Sequence, residues 1–240
     1  MIRAVVFDFD GVIANSEPLH FRAFRDVLAG EGISLTEADY YARYLGYNDE
    51  RAFHEIGAEH GRPWDATTVV ELIARKALVM EEIEQHASIV FPGAREAIQQ
   101  LARHCPLAIA SGALRAEIER KLQREQLAAH FTVIVAGDDG VASKPAPDPY
   151  LRAVERLGAI HASSAPLSPA HCVAVEDSPW GLESAIAAGL RTIGITHTYG
   201  RDTLAGADAI IDTMTLLTWE MVCSLNGGLD PTGSAQNSLF

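Results

Sequence analysis

Arg3-Ala4-Val5-Val6-Phe7-Asp8-Phe9-Asp10-Gly11-Val12 is the stretch that decides the fold. Its first half is a short apolar run rich in β-branched and aromatic residues, which reads as a buried strand. Two carboxylates one residue apart stand at the strand's C-terminal end. Ligands of open α/β sheets bind beyond those ends. Residues i and i+2 of a strand point the same way, and a bend at Gly11 lets both acids reach one reacting centre. A carboxylate can attack phosphorus and form an aspartyl-phosphate. A second acid can protonate the leaving oxygen and later take a proton from water. Two anions this close also call for a cation, most simply Mg²⁺. Taken alone, the pair reads equally well as an acidic turn after a core strand.

Downstream the pattern turns helical. Phe21, Phe24, Val27 and Leu28 recur at three- and four-residue steps, with Ser16 as candidate cap, Pro18 in the first turn and Gly30 and Gly32 as the stop. Residues 37–60 read as polar helix broken at Leu45-Gly46-Tyr47, and a long amphipathic helix runs to about Gln85. From Phe91-Pro92-Gly93 onward, helices alternate with short apolar strands at 107–110, 132–135, 172–175, 192–195 and 209–211. The helices between and after them are expected at 94–103, 114–125, 148–158, 181–188 and 214–224. That alternation predicts right-handed β-α-β units and a parallel sheet with helices on both faces, a Rossmann-like α/β fold. Residues 1–15 and 89–225 then form the core domain, 16–88 a helical insertion after its first strand, and 226–240 a loose tail.

Composition narrows the function. The 240 residues are 48% hydrophobic, enough for a large core and a smaller lobe. A formal charge of −13, with only three lysines (Lys76, Lys121, Lys144), argues against nucleic acid or anionic membrane as partner. Three cysteines far apart suggest neither a disulfide framework nor a metal site. No apolar segment approaches the ~20 residues of a membrane span and no signal-peptide pattern opens the chain, so the cytoplasm is the expected compartment. A small phosphorylated metabolite is the expected partner, and the chain is expected as a monomer or weak dimer.

The polar residues worth singling out fall after successive strands: Asp8 and Asp10, then Ser111-Gly112, then Lys144-Pro145, then Glu176-Asp177. Parallel strands place these ends on one rim. Ser111 and the Gly112 amide, opening a helix, can hold a phosphoryl oxygen, although an ordinary N-cap is the simpler reading of that pair. Lys144 can neutralise phosphate and keep Asp8 ionised. Glu176 and Asp177 would repel Asp8 and Asp10 unless a divalent metal sits among them, and the alternative is a helix cap at Asp177 or Ser178.

The order DxD, Ser, Lys, Glu-Asp over four strand ends resembles the haloacid dehalogenase superfamily across residues 1 to about 225. Asn15-Ser16-Glu17-Pro18-Leu19-His20 and the helical insertion are similar to the subgroup with an α-helical cap, which includes sugar-phosphate phosphatases and β-phosphoglucomutase. The resemblance implies a cap that closes over the substrate, Asp8 as nucleophile and Asp10 as acid/base. It implies Mg²⁺ held by Asp8, the Asp10 carbonyl and Asp177, with Glu176 in or beside that shell. His20 and Lys76 of the insertion and Arg115 of the core are candidate substrate residues; each reads otherwise as a surface residue of a helix. Tyr44, Tyr47 and Trp64 either line the cap or form its core, and Trp180 is expected to pack the helix after the fourth motif.

The resemblance to β-phosphoglucomutase fails at Gly46-Tyr47-Asn48-Asp49, where that enzyme's cap carries an arginine for the distal phosphate, so the resemblance implies hydrolysis over phosphoryl transfer between sugar positions. Arg51 or Arg115 would have to take that role in a mutase. A rival from another class is a signalling or binding module that accepts phosphate on aspartate. The length, the insertion and Asp10, which promotes hydrolysis, argue against it.

Overall fold

The computed structural model describes residues 1–45, 47–86, 88–160 and 166–227. The expected tail beyond Gly227, the Ala- and Ser-rich segment at 161–165 and the break at Gly46 lie outside the described residues.

The chain divides into two compact units, Met1–Ala14 with Val90–Phe240, and Asn15–Ile89. The first unit is built on strands β1 (Ala4–Phe7), β2 (Leu107–Ala110), β3 (Phe131–Val135), β4 (Cys172–Glu176), β5 (Arg191–Ile195) and β6 (Ala209–Ile211). Among the described residues they form one parallel sheet in the order β3-β2-β1-β4-β5-β6. The order reverses at β1, so the first strand is the switch point, where a doubly wound sheet opens a crevice for ligand. Helices α5 (Ala94–Leu101), α6 (Arg115–Arg124), α7 (Asp148–Ile160), α8 (Pro179–Ala187) and α9 (Trp219–Ser224) complete this unit.

Every residue of β1, β2 and β4 is buried. Alternate side chains such as Val6, Ala110, Val135 and Ala174 pack with Tyr150, Leu157 and Ala185 of α7 and α8. The intervening residues Val5, Phe7, Ile109 and Val175 are just as buried on the other face, which is why these strands read as continuous apolar runs. Each such side chain contributes on the order of 1.5–3 kcal/mol through burial. Burial pushes the thiols of Cys105 and Cys172 up to about 12, so both stay protonated, as small apolar core residues.

The second unit is helical: α1 (Glu17–Gly30), α2 (Glu37–Asp39) continued by a π-helical turn at Tyr40–Tyr44, α3 (Asp49–Glu59) and α4 (Ala66–His86). Its core gathers Phe21, Phe24, Tyr44, Phe53, Ile56 and Leu72, with Tyr47 and Trp64 packed against it. These aromatics therefore build the unit's core.

Four local expectations are corrected. Ser16 holds the N-cap position of α1, but its backbone is already helical and its side chain makes no capping bond. The helix expected at 114–125 runs as α6 from Arg115, but the Gly112 amide does not open it, because the Ser111 hydroxyl closes a tight turn by accepting from the Ala113 amide at 3.1 Å. The final helix splits into a 3-10 turn at Met214–Leu216 and α9, where Thr218 accepts from the Met221 amide and starts a new helix. Trp180 is half exposed and meets Tyr199 edge to face at 5.5 Å, so it does not pack its helix.

Candidate active site

Strand β1 ends at Phe7, which pairs with Ile109 on one side and Val175 on the other. This register places Asp8 between the ends of β2 and β4, so Ser111 and Glu176-Asp177 follow on either side. The Asp8 amide continues the ladder to the Val175 carbonyl at 2.9 Å. The chain then turns back sharply: the Phe9 carbonyl accepts from the amides of Ile13 (2.9 Å) and Ala14 (2.8 Å). Gly11 sits at the apex with φ +83°, a left-handed conformation that favours glycine. A Cβ there would also lie 1.9 Å from an Asp177 carboxylate oxygen, so the glycine makes room for the fourth motif as well as the bend.

Lys144, in the loop between β3 and α7, reaches two carboxylates at once, Asp8 Oδ1 and Glu176 Oε1, each at 2.5 Å. Glu176 is fully buried and has further donors: the Tyr150 hydroxyl on α7 at 2.6 Å and the Ser178 hydroxyl at 3.3 Å. Gly181, opposite, carries no Cβ to collide with that carboxylate; one would sit 2.1 Å away. Ser178 also caps α8 by accepting from the Gly181 amide. Glu176 thus anchors Lys144, and Lys144 in turn fixes Asp8.

Asp8, Glu176 and Asp177 bring carboxylate oxygens within 4.8 Å of one another, a grouping able to hold a metal ion. Three carboxylates against the single ammonium of Lys144 leave a net charge of −2 when all are ionised. Burial, opposed by Lys144 and reinforced by Glu176 and Asp177, raises the Asp8 carboxyl well above its ordinary range. Burial likewise raises Asp177 to about 7, against the hydrogen bond it receives from Thr198. Burial alone would lower Lys144, but Asp8 and Glu176 outweigh it and raise it above the usual lysine range. Hard oxygen donors with this charge deficit fit a small divalent cation.

The remaining candidates fall elsewhere. Asp10 is partly exposed, with Lys121 of α6 3.8 Å from Oδ1; Lys121 itself is buried and pairs with Glu117 at 2.6 Å. Ser111 is buried at the end of β2 beside Gly112. Arg115 is committed to structure: its guanidinium holds both oxygens of Asp139 (2.7 and 2.9 Å) and the Ile134 carbonyl (2.8 Å). His20 and Lys76 do come together, within the second unit. Lys76 is buried there rather than solvated, bonding His20 Nδ1 at 3.0 Å and the Asp49 carboxylate, with its ammonium over the Phe24 ring. Arg51 lies on the Tyr47 ring at 3.8 Å and bonds its hydroxyl.

Tyr150, Thr198 and His197 escaped the sequence. Tyr150 looks like an ordinary core aromatic of α7. Thr198 follows strand β5, where the polar run Thr196-His197-Thr198-Tyr199 at the same rim is the signal in the sequence.

A doubly wound sheet with a DxD turn, a lysine and paired acids at its switch point makes this an α/β protein whose site is organised around a buried aspartate. A family model for haloacid dehalogenase-like hydrolases matches residues 2–189, and the chain belongs to that family. It is 35% identical over 216 residues to protein CbbY of Rhodobacter capsulatus, covering 86% of this chain and 91% of the relative. It is 32% identical over 219 residues to a phosphorylated carbohydrates phosphatase of Thermotoga maritima, covering 88% and 94%. A Thermotoga maritima structure described as a candidate β-phosphoglucomutase superposes with a TM-score of 0.78 at 29% identity, covering 93% of this chain and all of that one.

Proposed function

We propose that this chain is a Mg²⁺-dependent phosphatase acting on a small phosphorylated carbohydrate. The observation that carries the proposal is the buried Asp8 carboxylate, fixed at 2.5 Å by Lys144 beside two further acids at the sheet's switch point. Similarity to a phosphorylated carbohydrates phosphatase supports the substrate class.

In this reading an Asp8 oxygen attacks phosphorus in line as the P–O ester bond breaks, and Asp10 gives its proton to the departing alkoxide. Asp10 then takes a proton from water, which attacks the aspartyl-phosphate, releasing inorganic phosphate and restoring Asp8. Phosphoryl transfer depends on positioning and charge neutralisation more than on elaborate covalent chemistry. Lys144 provides one positive charge and fixes the attacking oxygen; Ser111 and the Gly112 amide orient the phosphoryl group from the neighbouring strand end. The side chains of Asp8 and Asp177 and the Asp10 carbonyl would hold Mg²⁺, with Glu176 beside them. The ion, when bound, offsets the charge on the phosphoryl oxygens.

The similarity to a candidate β-phosphoglucomutase favours a second reading, transfer between sugar positions. Against it, both arginines able to hold a second phosphate are engaged, Arg51 with Tyr47 and Arg115 with Asp139. The test is a Mg²⁺-dependent screen of sugar phosphates, followed by ³¹P NMR of β-glucose 1-phosphate with trace glucose 1,6-bisphosphate. Free phosphate without glucose 6-phosphate supports the phosphatase. Glucose 6-phosphate without net phosphate release overturns it in favour of the mutase.

A further inference from the structure

The loop after β5 touches the site at three points that the chemistry above does not use. His197 Nδ1 lies 2.9 Å from the Gly11 carbonyl, at the apex of the DxD turn. Thr198 hydrogen-bonds Asp177, and Tyr199 meets Trp180, just after the fourth motif. The His197 ring also stacks on Phe91, with centroids 3.7 Å apart and planes 18° from parallel. The chain re-enters the first unit at Val90, which bridges Ala14, and the amide of the next residue, Phe91, bonds the Ile13 carbonyl at 3.0 Å. One imidazole therefore ties together the outgoing turn at Gly11 and the returning segment at Phe91. The loop's base is itself held. The Thr196 amide continues the sheet to the Ile211 carbonyl at 3.0 Å, and its hydroxyl bonds Asp212 at 2.9 Å.

We infer that His197 is a positioning residue that clasps the DxD turn against the returning segment, so that Asp8 and Asp10, which lead into Gly11, keep their aim. The inference rests on the proposed roles of Asp8 and Asp10. A backbone carbonyl only accepts, so the Nδ1 of His197 must carry a proton and donate it. Burial keeps the imidazole below the ordinary histidine range, with the Gly11 contact partly opposing, so the ring is neutral near pH 7. It is then held as the Nδ1–H tautomer, the less common form in water. The Gly11 carbonyl lies one residue beyond Asp10. Freeing it removes this tie from the apex of the turn, and small misplacements of a reacting group are costly to rate.

Two variants separate the hydrogen bond from the stacking. His197→Phe keeps a ring on Phe91 and removes the donor; His197→Asn supplies an amide N–H near Nδ1 and removes the ring. With p-nitrophenyl phosphate, His197→Phe is expected to lower kcat about tenfold, the weight of one buried hydrogen bond as a ratio, with KM within about twofold of wild type. His197→Asn is expected to recover most of that loss. Hydrogen exchange at the Gly11 and Phe91 amides should quicken in His197→Phe and less in His197→Asn. The ¹⁵N imidazole spectrum of the wild type should show the Nδ1–H tautomer. Wild-type kcat and exchange in His197→Phe, equal losses in both variants, or an Nε2–H tautomer overturns the clasp. A wild type without Mg²⁺-dependent phosphatase activity overturns the proposed function instead. The clasp is then decided by amide exchange and the tautomer.

Discussion

Replacing Asp177 by Asn should stabilise the metal-free protein above neutral pH while abolishing its response to divalent cations. Asp177 is buried, and burial with the charge of Glu176, opposed by Thr198, raises its carboxyl from the ordinary 3.8 to about 7. Between those values the folded chain keeps a proton that the unfolded chain has released. The unfolded state thus binds fewer protons, and stability falls as pH rises from about 4 to about 7. A gap of about three pH units, at ~1.4 kcal/mol each, costs the folded state about 4 kcal/mol above pH 7 and about 2 kcal/mol at pH 5. Asparagine has the same shape and no charge to desolvate, so it removes this cost. The assay is urea unfolding of EDTA-treated wild type and Asp177→Asn at pH 5 and pH 8, repeated with Mg²⁺. The variant should lead by about 2 kcal/mol at the lower pH and about 4 kcal/mol at the higher. Mg²⁺ should raise the wild-type midpoint at pH 8 and leave the variant's in place. A variant no more stable than wild type at pH 8, or one that keeps the Mg²⁺ response, refutes the picture of crowded carboxylates awaiting a cation.

Asp8→Asn should fold and lose turnover altogether; substantial phosphatase activity in the folded variant would sink the covalent route. Asp10→Asn should slow phosphorylation from alkyl phosphates far more than from p-nitrophenyl phosphate, whose leaving group needs no proton; single-turnover rates reduced equally on both would count against Asp10 as the acid. Lys144→Met removes the one ammonium shared by the buried Asp8 and Glu176. Without metal it should cost about 3–5 kcal/mol at pH 8, measured by urea unfolding, and less at pH 5, where Asp8, its carboxyl raised by burial, can take up a proton. Arg115→Ala should leave KM for the best sugar phosphate within about twofold and cost about 1 kcal/mol of stability, its ion pair with Asp139 being partly exposed. A large rise in KM would mean that the arginine serves the substrate after all.

The core strands were legible in residues 4–7, 107–110 and 172–175 because strands buried on both faces leave unbroken apolar runs. Their polar ends stood out for the same reason: Asp8, Ser111, Lys144 and Glu176-Asp177 interrupt or follow such runs. Helix starts were less legible. Ser111-Gly112 has the chemistry of a cap, yet its hydroxyl closes a turn and α6 waits until Arg115. Local preference gives way there to the pairing of neighbouring loops, and the Arg115 amide instead meets the Asp138 carboxylate at 3.0 Å.

By itself, then, the sequence determined the α/β class, the helical insertion and which side chains stand at the strand ends, since periodicity and spacing are local properties of the chain. Only the tertiary structure decided which charges meet. It sent Lys144 to both Asp8 and Glu176, buried Lys76 against Asp49, committed Arg115 to Asp139 and brought Tyr150, Thr198 and His197 to the rim. Those partners lie up to 186 residues apart in the chain, as His197 and Gly11 do. An ion pair or hydrogen bond depends on distance in space, which the packing of strand on strand sets and no stretch of sequence records.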